Sequence, residues 1–88
     1  MASSELTEEH RPTLERLLDL AKRGRDLETY TIRNLNEELL EAAQEGLDSH
    51  VEKVSRKVRA HRLTLDNREA DIEALEAALA MIPKEDEQ

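Results

Sequence analysis

Between Val51 and Ile82, steps of alternately three and four residues pick out Val51, Val54, Val58, His61, Leu65, Arg68, Ile72, Leu75, Leu79 and Ile82. All but His61 and Arg68 are apolar, so this is the a/d seam of a heptad repeat written on one helix. A second seam lies upstream in Leu14, Leu18, Ala21, Arg25, Glu28, Ile32, Leu35, Leu39 and Ala42. A helix with one narrow apolar stripe must bury that stripe against another helix. Two such stripes, separated by a break and phase change at Glu45-Gly46-Leu47-Asp48, predict that the chain folds back on itself. The expected fold is all-α: an antiparallel coiled-coil helical hairpin of two long helices, completed to a four-helix bundle by dimerisation.

Register follows from arithmetic, because facing residues of an antiparallel pair have numbers with a constant sum. Ala42/Val51, Leu39/Val54, Leu35/Val58, Ile32/His61, Glu28/Leu65, Arg25/Arg68, Ala21/Ile72, Leu18/Leu75 and Leu14/Leu79 all share one sum. With Val51 at a and Ala42 at d, each layer also sets an a residue against a d residue, as antiparallel packing requires. The same register brings Lys22 within reach of Glu69 and Glu76, and Glu38 within reach of Lys57.

Local signals place the ends. Thr7 is suited to cap a first turn holding Glu8 and Glu9, with Pro12 tolerated close to the start; alternatively Pro12 is itself the first helical residue. Gly46 fits a left-handed residue closing the first helix, and Ser49-His50-Val51-Glu52 reads as a capping box opening the second. The expected organisation is a disordered N-terminus over 1–6, a helix over 7–45, a turn over 46–49, a helix over 50–82 and a disordered acidic tail over 83–88. Gly24 and Thr29-Tyr30-Thr31 weaken the first helix, and Asp66-Asn67-Arg68-Glu69 resembles another cap. Breaks at both places would give four short helices instead. The unbroken heptad phase favours two long ones.

Composition narrows the function. The chain has 13 Lys and Arg against 21 Asp and Glu, for a net charge of -8, which argues against a general nucleic-acid or anionic-membrane binder. There is no Cys, so no disulfide framework or thiolate metal site is expected. No apolar run is long enough to span a bilayer, and Met1-Ala2-Ser3-Ser4-Glu5 lacks the basic and apolar regions of a signal peptide, so a cytoplasmic location is expected. A single Tyr, without Phe or Trp, leaves little bulk for a core, and small unstapled domains are marginal, so a protein partner is expected to contribute stability.

Two groups of residues are candidates for partner recognition. Leu17, Leu20, Gly24, Leu27 and Thr31 form a second stripe displaced from the seam by about one residue. Leu17, Leu20, Leu27 and Thr31 are the expected partner-binding residues, since contiguous apolar patches mark interaction sites more often than scattered leucines do. Ala70, Ala74, Ala77 and Ala78 would permit close approach of another helix. Arg25, Glu28, His61 and Arg68 are the polar members of the seam and form a candidate specificity layer, in which a buried polar position fixes register at some cost in stability. The competing reading is arginines whose stems are buried while their heads reach water, with Glu28 neutralising Arg25. His61, facing Ile32, is either a tolerated core histidine or a proton switch through which acid would weaken this layer.

The remaining features are charged. Glu37, Glu41 and Glu45 share a helical face near the tip, a geometry open to weak divalent-cation binding, yet no metal-binding motif accompanies them and a solvated acidic tip is favoured. A stalk with an acidic tip resembles, in shape and charge, the coiled-coil hairpins that enter a channel of RNA polymerase. Lys53, Arg56, Lys57, Arg59 and Arg62 form a basic block that pairs in principle with Glu37, Glu38 and Glu41 of the other arm. No cofactor and no catalysis are expected: the chain has no Gly-rich phosphate loop, and a two-helix stalk has no cleft to assemble a nucleophile and its base. The expected function is a non-enzymatic protein-protein interaction module, self-associating as a homodimer or docking on another helical protein. The alternatives are a small acidic chaperone or adaptor, like those of bacterial secretion systems, masking a client helix, and a transcription regulator acting through the acidic tip.

Overall fold

The computed structural model describes residues 5–83. Two long helices, α1 (Arg11–Gln44) and α2 (Asp48–Ala80), pack against each other along their length, and a short 3-10 turn, Glu8–His10, precedes α1. The hairpin is a thin rod with extents of 66 × 26 × 14 Å. No strand is present among the described residues. The disorder expected for residues 1–4 and 84–88 concerns segments outside the described residues.

The seam forms as the spacing predicts. The buried apolar side chains are Ala21, Ile32 and Ala42 of α1, Val54, Val58 and Ile72 of α2, and Ile82 just beyond it, all of them seam positions. The intervening leucines of both seams are half-buried. Each fully buried aliphatic side chain is worth about 1.5–3 kcal/mol, but among the described residues only Val54 is completely removed from solvent. Both helices run without interruption through Gly24–Ile32 and through Asp66–Glu69, so the arrangement of four short helices is not adopted. Within α1 the Thr29 hydroxyl donates to the Arg25 carbonyl at 2.9 Å, so its polar group is satisfied on its own helix.

The ends differ in detail from the sequence expectation. Thr7 caps a first turn that holds Glu8 and Glu9, as expected, but that turn is 3-10 and α1 proper begins at Arg11, one residue before Pro12. Pro12 has no N–H to give to the Glu8 carbonyl, a bond that a regular helix begun at Thr7 would need. The segment is instead held by the Thr7 N–H donating to His10 Nδ1 at 2.9 Å and by Arg11 Nε donating to Glu8 Oε1 at 2.9 Å. That guanidinium holds the Glu8 carboxyl below its ordinary range.

At the turn, Gly46 is left-handed with φ 72°. The Leu47 N–H bonds the Ala42 carbonyl at 3.0 Å and the Gly46 N–H bonds the Ala43 carbonyl at 3.2 Å, a Schellman closure. Because this closure reverses the chain within three residues, α2 starts at Asp48 with Leu47 as its cap residue. Ser49 is therefore already inside the first turn, and the expected Ser49–Glu52 capping box is not formed. At its other end α2 stops at Ala80, and Met81 and Ile82 continue as a turn bonded to the Ala78 and Leu79 carbonyls.

Any residue but glycine at position 46 would be held in a conformation costing about 1–2 kcal/mol. Gly46→Ala is expected to lower the free energy of unfolding in urea by about 1 kcal/mol. An unchanged midpoint would mean that the turn relaxes to another geometry.

Candidate interaction face

The polar members of the seam do not form one shared layer. His61 Nδ1 lies 2.7 Å from Glu28 Oε2, so the imidazole meets a carboxylate one turn away from the Ile32 it faces in the register. Glu28 is thereby committed across the seam, and Arg25 turns instead to Asp26, with Nε 3.2 Å from Oδ1. The opposing Arg68 is exposed and lies across the α1 backbone at Gly24. A Cβ added to Gly24 would stand 2.8 Å from Arg68 Nε, so the missing side chain makes room for the guanidinium. The two arginines of the layer thus leave in opposite directions, and their mutual repulsion is avoided.

The charge pairs predicted from register are partly rearranged. Lys22 Nζ approaches Glu76 Oε2 at 3.8 Å, as the register implies. Glu38, however, pairs with His50 at 2.8 Å and not with Lys57. Lys53, Lys57, Arg59 and Arg62 have no ion-pair partner among the described residues, and Arg56 pairs only with Glu52 of its own helix, at 3.6 Å. The basic block is therefore not neutralised by the acids of α1. No group of three or more Asp, Glu or His side chains converges as a metal ion would need, again among the described residues.

Leu17, Leu20 and Leu27 are 42, 54 and 64% exposed, while Thr31 is half-buried beside them. The hairpin sets this stripe next to α2. Leu17, Leu20 and Ala21 face Arg68, Asp71, Ala74 and Leu75 across a shallow groove of about 470 Å³. Ala74 thus joins the leucines and Ala78 is half-buried, whereas Ala70 and Ala77 are exposed at f positions on the back of α2.

One signal was present in the heptad frame and shows only when both helices are laid side by side. Positions g and c flank the seam on the groove side. From Leu17 to Thr31 they hold Leu17, Leu20, Gly24, Leu27 and Thr31; on α2 they hold Ala60, Thr64, Asn67, Asp71, Ala74 and Ala78. Asp71 is the one charge among these. The e and b positions of the other flank hold Glu15, Asp19, Lys22, Asp26, Thr29 and Arg33 on α1, then Arg59, Arg62, Asp66, Glu69, Glu73 and Glu76 on α2. There Thr29 alone is uncharged. Along this stretch the groove side has few charged positions, with Asp71 and the Arg68 guanidinium that reaches over Gly24; nearer the tip the contrast ends, with Glu38, Glu41, Lys53 and Lys57 on the groove side and Asn36, Leu40, Ala43 and Ser55 on the other.

No protein-family profile, curated protein or solved structure matches the chain. Among the described residues no helix is long and apolar enough to cross a membrane.

The Glu28–His61 contact is open to a double-mutant cycle on Glu28→Ala and His61→Ala. A coupling on the order of 1 kcal/mol in chemical denaturation is expected for this part-buried hydrogen bond. A coupling of zero would mean that the two side chains act independently at the edge of the seam.

Proposed function

We propose that this chain is a non-enzymatic helical interaction module that associates with itself through the groove side of the hairpin. The observation that carries the reading is the contrast between the two flanks over the stretch from Leu17 to Thr31: exposed leucines beside residues that are small or uncharged except for Asp71 on one, charge at every position but Thr29 on the other. Apolar area left in water is unfavourable by about 25 cal/mol per Å², and a contiguous apolar stripe such as Leu17, Leu20 and Leu27 marks an interaction site, although Tyr30, Leu40 and Leu63 are exposed outside it. The thinness of the seam supports the same reading. One row of buried aliphatics, with alanine at Ala21 and Ala42, is little core for helices of this length, and a second hairpin would add another layer.

Burial of Leu17, Leu20, Leu27 and Thr31 gives the contact its affinity, while Arg25, Glu28, His61 and Arg68 restrict the alignments the seam accepts. Self-association needs neither a cofactor nor a nucleic acid. Sedimentation equilibrium over a wide concentration range, on the wild type and on a Leu17/Leu20/Leu27 triple Ala variant, tests the proposal. The wild type is expected to be a dimer and the variant a monomer that keeps its helical circular dichroism. A wild type that stays monomeric would overturn it in favour of an adaptor masking a client helix.

A further inference from the structure

The groove side has a second half, nearer the tip, that the leucine stripe does not reach. There the g and c positions of α1 are Glu38 and Glu41, and those of α2 are Lys57 and Lys53. In the hairpin register Glu38 and Lys57 stand at one height, and Glu41 and Lys53 at the next. Yet Glu38 is taken by His50 at 2.8 Å, and Glu41, Lys53 and Lys57 have no ion-pair partner within the chain, among the described residues. Acids on one arm and bases on the other stand at matched heights, and all but Glu38 are without an ion-pair partner among the described residues, which makes this surface complementary to its own copy.

We infer that the occupant of the groove is a second copy of this chain, packed with its tip at the same end and related by a two-fold axis along the length of the hairpin. This rests on the self-association reading and adds its direction. A two-fold axis in that orientation lays α1 of each copy on α2 of the other at equal height. Leu17 then meets Ala78 of the second copy, Leu20 meets Ala74, Glu38 meets Lys57 and Glu41 meets Lys53. At the leucine end large residues lie over small ones and near the tip acids lie over bases, while between them Gly24 meets Asp71, Leu27 meets Asn67 and Thr31 meets Thr64.

The other closed arrangement runs its two-fold axis across the hairpin and sets α1 on α1 and α2 on α2. Centred on the leucines, it places Asp71 beside its own copy and leaves Glu41 and Lys53 outside the overlap. With α1 fully overlapped, it puts the Glu38 carboxylate over Leu17. Extent agrees with the first arrangement. From Thr13 to Glu41 the face is about 42 Å long and two helices, about 20 Å, wide, or roughly 800 Å² per copy, the area of a standard stable interface.

Two measurements on the full chain test the direction. The absence of cysteine lets Ser49→Cys carry a single spin label at the exposed start of α2. Pulsed electron paramagnetic resonance is expected to give a distance of about 15–30 Å between copies with tips together, against about 60 Å for the opposed arrangement, from the helical rise. In addition, Glu41→Lys and Lys53→Glu are each expected to weaken the dimer roughly tenfold, since each turns two attractive pairs into repulsive ones, and mixing the two variants should restore association. A dimer with the long distance, or variants that do not rescue each other, would overturn the tip-together arrangement while leaving self-association standing. A monomer at every concentration would overturn both.

Discussion

Everything in this molecule hangs on one row of side chains held in a single antiparallel register. No sheet, disulfide or second layer supplements it among the described residues. The backbone satisfies its own hydrogen bonds within each helix, so what keeps two helices together is the removal of alternate Val, Ile, Leu and Ala side chains from water. A shift of one residue would carry the seam off its stripe, and a shift of a whole heptad would meet the polar middle, where Arg25, Glu28, His61 and Arg68 sit among aliphatics. The Glu28–His61 contact and the passage of Arg68 over Gly24 exist only in the observed alignment.

The register, the continuity of both helices and the place of the turn were legible because each follows from a local property: heptad phase, its persistence, and a glycine at its interruption. Lys22–Glu76 was legible for the same reason. What was not legible is the choice among several partners at similar distance. Glu38 had Lys57 and His50 within reach and took His50; Glu28 had Arg25 and His61 and took His61. Such choices turn on rotamers and on fractions of a kcal/mol, which heptad spacing does not encode. The start of α2 was misplaced for another reason. A capping box is a side-chain signal, whereas the Schellman closure is made by backbone bonds around Gly46 and overrides it.

The candidate face was half legible. The leucine stripe stands out on α1 alone, because Leu17, Leu20 and Leu27 are large. Its counterpart on α2 is built from Ala, Thr and Asn with one charge, Asp71, and the neutral residues become informative only against the charged flank on the opposite side. Recognition surfaces between helices are built in this way, since close packing needs small residues opposite large ones. The charge of the chain is therefore less telling than its placement: a strongly acidic protein still keeps one side nearly neutral where the leucines lie.

The Schellman turn has a kinetic consequence. Contacts next to it, such as Ala42 with Val51, close a loop of a few residues, whereas Leu14 and Leu79 at the other end close nearly the whole chain. Because loop-closure entropy rises with the segment enclosed, the hairpin is expected to zip from Gly46 outward, with the layers around the leucine stripe closing late. A partner bound at that stripe would act as a clasp on the open mouth of the hairpin, away from the turn itself.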